Sequence, residues 1–147
     1  MKDNAMAFEL SNLLIGFVAA ALSVVFVHQV IVFVLNTAGV WPAKPWSMQS
    51  VGPLNVPIIV NSIFWGGLWG ALYAVVHPLL PGDQAWLKGL CFGLLIALLS
   101  NFTLLALTKG QPLFMGYDAK KIAIVVVILS GFGIGTAVLF DWLHVLL

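Results

Sequence analysis

The chain has 147 residues, 7% of them charged and 62% hydrophobic, with a formal net charge of +1. An average soluble domain is about 25% charged, so these few Lys, Asp and Glu side chains cannot furnish a water-facing surface. That excludes a soluble enzyme and a disordered chain. With no Arg and no basic cluster it also excludes a nucleic-acid binder. The single Cys91 excludes a disulfide framework and a cysteine metal site.

What remains is an integral membrane protein, and its charges divide it. Uncharged stretches of 34 residues (Glu9 to Lys44), 38 (Lys44 to Asp83), 20 (Lys88 to Lys109) and 19 (Lys121 to Asp141) lie between charged positions. A helix needs about 20 apolar residues to cross the hydrocarbon core. Runs such as LLIGFVAAALSVVFV and KIAIVVVIL lack the alternation of a barrel strand. The expected fold is therefore all-α: a polytopic transmembrane four-helix bundle in one domain, with spans over about 10–35, 57–80, 86–107 and 122–143.

The first span follows Asp3 and Glu9 as well as Lys2 and runs to Leu35 without a polar break, which suits an uncleaved helix better than a signal peptide. The first connection, with Pro42, Pro45 and Pro53 beside Trp41 and Trp46, suggests an extended segment lying at the membrane interface. Pro81-Gly82-Asp83-Gln84 is a turn that makes spans two and three a tight antiparallel hairpin. The third connection, TKGQPLFMGYDAKK, falls on the same side as the first, and the two are expected to form a cap. Gly16 and Ser23 are spaced as Gly93 and Ser100 are, a faint echo that would fit a duplicated hairpin. The long connections carry Lys44, Lys109, Lys120 and Lys121, and the opposite side Lys2 and Lys88. This places the long connections in the cytoplasm and both termini outside.

No charged residue lies in the central part of a span, which opposes carboxylate-coupled proton transport. The polarity inside the spans is neutral: His28 and Gln29 in span one, Asn61 and Ser62 in span two, Ser100 and Asn101 in span three, Ser130 in span four. At about 1.5 Å per residue, all lie roughly 6–13 Å from the long-connection side, in one layer. Two readings stay open. The layer is glue, hydrogen-bonding helix to helix. Or it is a candidate intramembrane polar site, with His28 the one member that titrates near neutral pH. His77 and His144 are the only histidines at a common depth, and His144 is almost at the chain end. No metal, haem or other cofactor is expected, and no catalytic set assembles at a common depth.

Small residues recur at helical spacing: Gly16 with Ala20, Gly66 with Gly70, Gly89 with Gly93 and Ala97, and Gly131 with Gly135, while Gly133 falls on the opposite face. Trp65 and Trp69 share the face of Asn61. They are expected to pack on a neighbouring helix or lipid, or to contact another subunit or a flat apolar ligand. GFGIGT in span four is no nucleotide fingerprint, since it lies within an apolar helix.

The segment around Pro57, the FWGGLWG run and the LTKGQPLFMG connection together resemble an uncharacterised group of small bacterial four-span integral membrane proteins. The resemblance implies four spans and no particular activity; the expected place of the chain is a bacterial inner membrane. The arginine and phenylalanine signatures of fluoride channels and the intramembrane Glu of small multidrug exporters are missing. Two functions follow as expectations. One is a non-catalytic interaction or structural subunit of a membrane assembly, packing in the lipid bilayer through its glycines and Trp65/Trp69 as a homo-oligomer or with other membrane subunits. The other is a small homo-oligomeric transporter or channel for a neutral solute, built on the polar layer.

Overall fold

In hydrocarbon every backbone N–H and C=O must be satisfied within the protein, so apolar stretches of this length fold as helices. The computed structural model describes residues 2–147. Four helices in it are long and apolar enough to cross a membrane: span one, Glu9–Thr37; span two, Ile58–Leu79; span three, Ala85–Thr108; span four, Ala119–Leu146. Span four starts ahead of the apolar run that opens at Ile122. The Asp118 carboxylate accepts from the amides of Lys120 and Lys121 (3.0 and 3.2 Å) and caps a helix beginning at Ala119.

The first connection is not extended throughout. β1 (Ser50–Val51) and β2 (Val56–Pro57) pair antiparallel around a turn in which Gly52 and Asn55 adopt positive φ. Each long connection docks on span four from its own direction. Trp41 of the first packs with Ile124 and Ile128; Phe114 and Met115 of the third pack with Phe102 and Val125. Phe114, Met115, Gly116 and Tyr117 all have φ between 48 and 70°, a left-handed turn that costs the non-glycine residues about 1–2 kcal/mol each. Stacking of Phe114 on Phe102 (5.5 Å) and on Tyr117 (5.9 Å) offsets part of that cost.

Around the bundle the spans run in the order two, one, four, three. Spans one and two meet backbone to backbone: a Cβ on Gly70 would strike the Gly16 carbonyl and Ala20, and one on Gly16 would strike the Gly70 carbonyl. Gly66 fits against Val24 in the same contact. Spans three and four repeat the device with Gly89 and Gly93 against Gly133, Leu129 and Ser130. Here the expected faces of span four exchange roles. Gly133 meets span three, whereas Gly131 and Gly135 accommodate Ile31, Val27 and Ser23 of span one. The Phe132 carbonyl then accepts from two fully buried hydroxyls, Ser23 Oγ of span one and Thr136 Oγ1 of its own helix, each at 2.8 Å. Hydrogen bonds between membrane helices contribute about 0.6 kcal/mol on average.

Spans two and three do not pack as the expected tight hairpin. They touch near their turn, where the rings of Tyr73 and Phe92 lie 5.0 Å apart, and diverge toward the long connections. The reason is side-chain size. The glycines of span two are engaged by span one and those of span three by span four, so the facing surfaces carry Trp65, Leu68, Trp69 and Leu104. The two-fold relation suggested by the repeat is broken here, because spans one and four close while spans two and three stay apart. Toward the termini the interior is filled by Tyr73, Phe92 and Phe140, all essentially inaccessible.

Candidate functional site

Two spans leave regular α geometry at the depth of the polar layer: Val24–His28 of span one and Ala97–Leu104 of span three are π turns. Such turns are rare, widen the helix by one residue and recur at functional sites. Polar side chains satisfy the carbonyls they disturb. In span three, Thr103 Oγ1 donates to the carbonyls of Leu98 and Leu99 (3.1 and 2.7 Å), and Ser100 Oγ to that of Ile96 (2.6 Å). In span one the donor comes from outside the helix: Trp46 Nε1 of the first connection reaches the Val25 carbonyl at 3.1 Å. The Trp46 amide donates to Gln29 Oε1 at 2.7 Å, and its ring lies 6.1 Å from that of Phe33. The first connection is thereby fastened over the end of the span-one π turn.

Between these turns the spans line a chain of three partly open spaces. A central cavity of about 170 Å³ is lined by His28, Ser62, Ser100 and Asn101, with Trp69, Ile96 and Phe132 among its apolar walls. Toward the long connections it continues into a vestibule of about 220 Å³, where His28, Ser62 and Asn101 are joined by Gln29, Trp41 and the exposed Lys44. Sideways it adjoins the cleft between spans two and three, about 700 Å³, lined by Asn61, Trp65, Leu68, Trp69, Ser100, Leu104 and Thr108. Toward the termini, Tyr73, Phe92 and Phe140 close it.

The hydrogen bonds of the layer are local. Ser62 Oγ donates to Ile58 O (2.9 Å), Asn101 Nδ2 to Ser100 Oγ (3.0 Å) and Gln29 Nε2 to His28 Nδ1 (3.3 Å). Among the described residues no side-chain hydrogen bond of the layer runs from one span to another. The bond that does join spans in the membrane interior, Ser23 to Phe132, lies outside it. Ser62, Ser100 and Asn101 are therefore held by bonds within their own helices while they line the cavity.

Of the seven residues of the expected layer, His28, Ser62, Ser100 and Asn101 converge on the central cavity. Gln29 is buried and holds Trp46, lining only the vestibule. Asn61 is on the outer wall of the cleft. Ser130 belongs elsewhere: its backbone is pressed against Gly93 at the contact of spans three and four. Trp65 is 55% exposed, and Trp69 is half-buried between cleft and cavity. Ala97 is buried against Phe102 and Val125. Trp46 was not foreseen, and nothing in the spacing of Pro45-Trp46 announces its two bonds to span one. At the other side, His77 and His144 both pack on Phe140 (5.1 and 4.4 Å), and His144 Nε2 is bonded to Asn12 Oδ1 at 2.9 Å. Among the described residues no group of three or more His, Cys, Asp or Glu is gathered for a metal.

Comparisons with protein-family models, with curated proteins and with solved structures return no match to this chain.

Proposed function

We propose that this multi-pass membrane protein is a non-catalytic carrier that binds a small uncharged polar group in the cavity formed by His28, Ser62, Ser100 and Asn101. One observation carries the reading: Ser62, Ser100 and Asn101 bond within their own helices and, with His28, converge on a common space, whereas glue would bond across spans. The pair of π turns flanking that space supports it. The cavity is lined within one chain, so binding needs no oligomer axis. In this reading the protein sits in a bacterial inner membrane with the vestibule and both long connections cytoplasmic, as the lysine distribution favours.

Glycerol and urea permeation into reconstituted vesicles, followed by stopped-flow light scattering, provides the test. His28→Ala and Asn101→Ala are expected each to reduce permeation about tenfold, the effect of losing roughly one hydrogen bond in a site of low polarity. Their melting midpoints in detergent should match the unmodified protein. Permeation equal to that of empty vesicles, or unaffected by both substitutions, sinks the proposal.

A second reading, an interaction subunit, is favoured by the exposed Phe64–Trp65 pair on span two, whose rings lie 5.7 Å apart. The glycines first expected to serve it are engaged inside the chain, so a partner would meet aromatic side chains instead. Constant co-purification of a second membrane subunit, lost in Phe64→Ala, is its signature.

A further inference from the structure

The cleft between spans two and three opens on the surface that a bilayer covers, and it shares Trp69 and Ser100 with the central cavity. We infer that the ligand is a single-chain amphiphile dissolved in the membrane, with an uncharged, hydroxyl- or carbonyl-bearing head in the cavity and its apolar tail in the cleft. This rests on the reading of the cavity as a binding site and names the class of molecule it takes.

Size points the same way. The cleft, about 700 Å³, falls in the roughly 300–1,000 Å³ range of ligand sites, while the cavity of about 170 Å³ holds only a small group. The chemistry is divided between them. Trp65, Leu68, Trp69 and Leu104 make the cleft mostly apolar, with Asn61 and Thr108 also on its wall, and Ser100 joins it to the polar cavity of Asn101 and His28. No Asp, Glu, Lys or Arg lines either space, so a charged head would be buried there without a counter-ion. Among the three spaces, the vestibule is where a charged side chain, Lys44, is part of the lining. The route is open to lipid on one side and to the long-connection face on the other, and Tyr73, Phe92 and Phe140 shut off the terminal side. Such a passage serves a molecule that arrives from the bilayer.

The two parts of the ligand contribute unequally. A tail leaving lipid for the cleft gains little, because lipid chains are as apolar as leucine. The head leaves the hydrated interface, and it binds only where Ser62, Ser100, Asn101 and His28 replace the hydrogen bonds it gives up there. Head and tail together are recognised; a tail alone is not.

The experiment measures binding of radiolabelled 1-monooleoylglycerol to the full chain in nanodiscs, with hexadecane as tail alone and glycerol permeation as the readout for the head alone. Saturable binding of monooleoylglycerol is expected, with no competition from hexadecane. Leu68→Trp, at a lipid-accessible position, fills the cleft and should weaken monooleoylglycerol binding about tenfold without lowering the melting midpoint. Asn101→Ala should weaken both monooleoylglycerol binding and glycerol permeation. If glycerol permeation depends on Asn101 but monooleoylglycerol fails to saturate, or is indifferent to Leu68→Trp, the amphiphile is wrong and the cavity reading stands. Effective competition by hexadecane reduces the cleft to a groove for any lipid chain and overturns the inference. If Asn101→Ala changes neither readout, both readings fall together.

Discussion

Gly70→Leu is expected to leave no stably folded bundle. The place its Cβ would take is filled by the Gly16 carbonyl oxygen and the Ala20 methyl, so the new side chain meets backbone rather than a side chain that can swing aside. Overpacking costs about 1–3 kcal/mol even where side chains yield, and more where they cannot. That is a large part of the roughly 5–15 kcal/mol that holds a domain together. Gly89→Leu should do the same to the other half of the molecule, because its Cβ runs into the Gly133 carbonyl and the Ile134 backbone. Val75→Leu, on a residue 60% exposed, supplies the control. Thermal melting and size-exclusion profiles in mild detergent read the result. A Gly70→Leu protein that melts and elutes like the unmodified chain would show the glycines to be a surface for partners after all.

Phe92→Ala should have two effects that are measured separately. Its ring is fully buried against Tyr73, and a Phe→Ala change at such a position costs about 3–5 kcal/mol. Lipid does not weaken the penalty much, since the lost term is packing contact around an unfilled hole rather than transfer from water. The same ring is also part of the wall that closes the cavity toward the termini. Glycerol permeation should therefore rise above that of the unmodified protein even as the melting midpoint falls. Phe26→Ala, 66% exposed, should change neither. A destabilised variant with unchanged permeation would move the closure to another level of the bundle.

The spans were legible because charge is so expensive in hydrocarbon that Lys44 and Lys109 fall outside the helices, while Lys88 and Asp141 lie only in the end turns of spans three and four. The polar layer was legible for a similar reason, since depth is a linear function of residue number. Direction around the helix was not. Ser100 and Asn101 sit on the apparent stripe of Gly89, Gly93 and Ala97, yet the glycines face span four while Ser100 and Asn101 face the cavity. Both lie within the π turn from Ala97 to Leu104, which departs from the regular helical repeat on which the stripe is drawn. Ser130 departs in depth as well as in direction: span four starts at Ala119, and Ser130 lies against Gly93, seven residues from Ser100 along span three. The cleft was invisible because it depends on which neighbour each glycine stripe chooses. The sequence of span two carries no statement that Gly70 prefers Gly16 to a partner in span three.

The π turns also say something about descent. Each accommodates one residue more than a regular helix of the same rise, and one residue turns a helix by about 100°. Ser100 and Asn101 lie inside the longer of the two turns, so its extra residue bears directly on how they face the cavity. An offset of that kind corresponds to one inserted residue. A relative with the same four helices but no cavity is expected to be one residue shorter within 97–104, and its gap there, rather than any substituted side chain, would date the origin of the site.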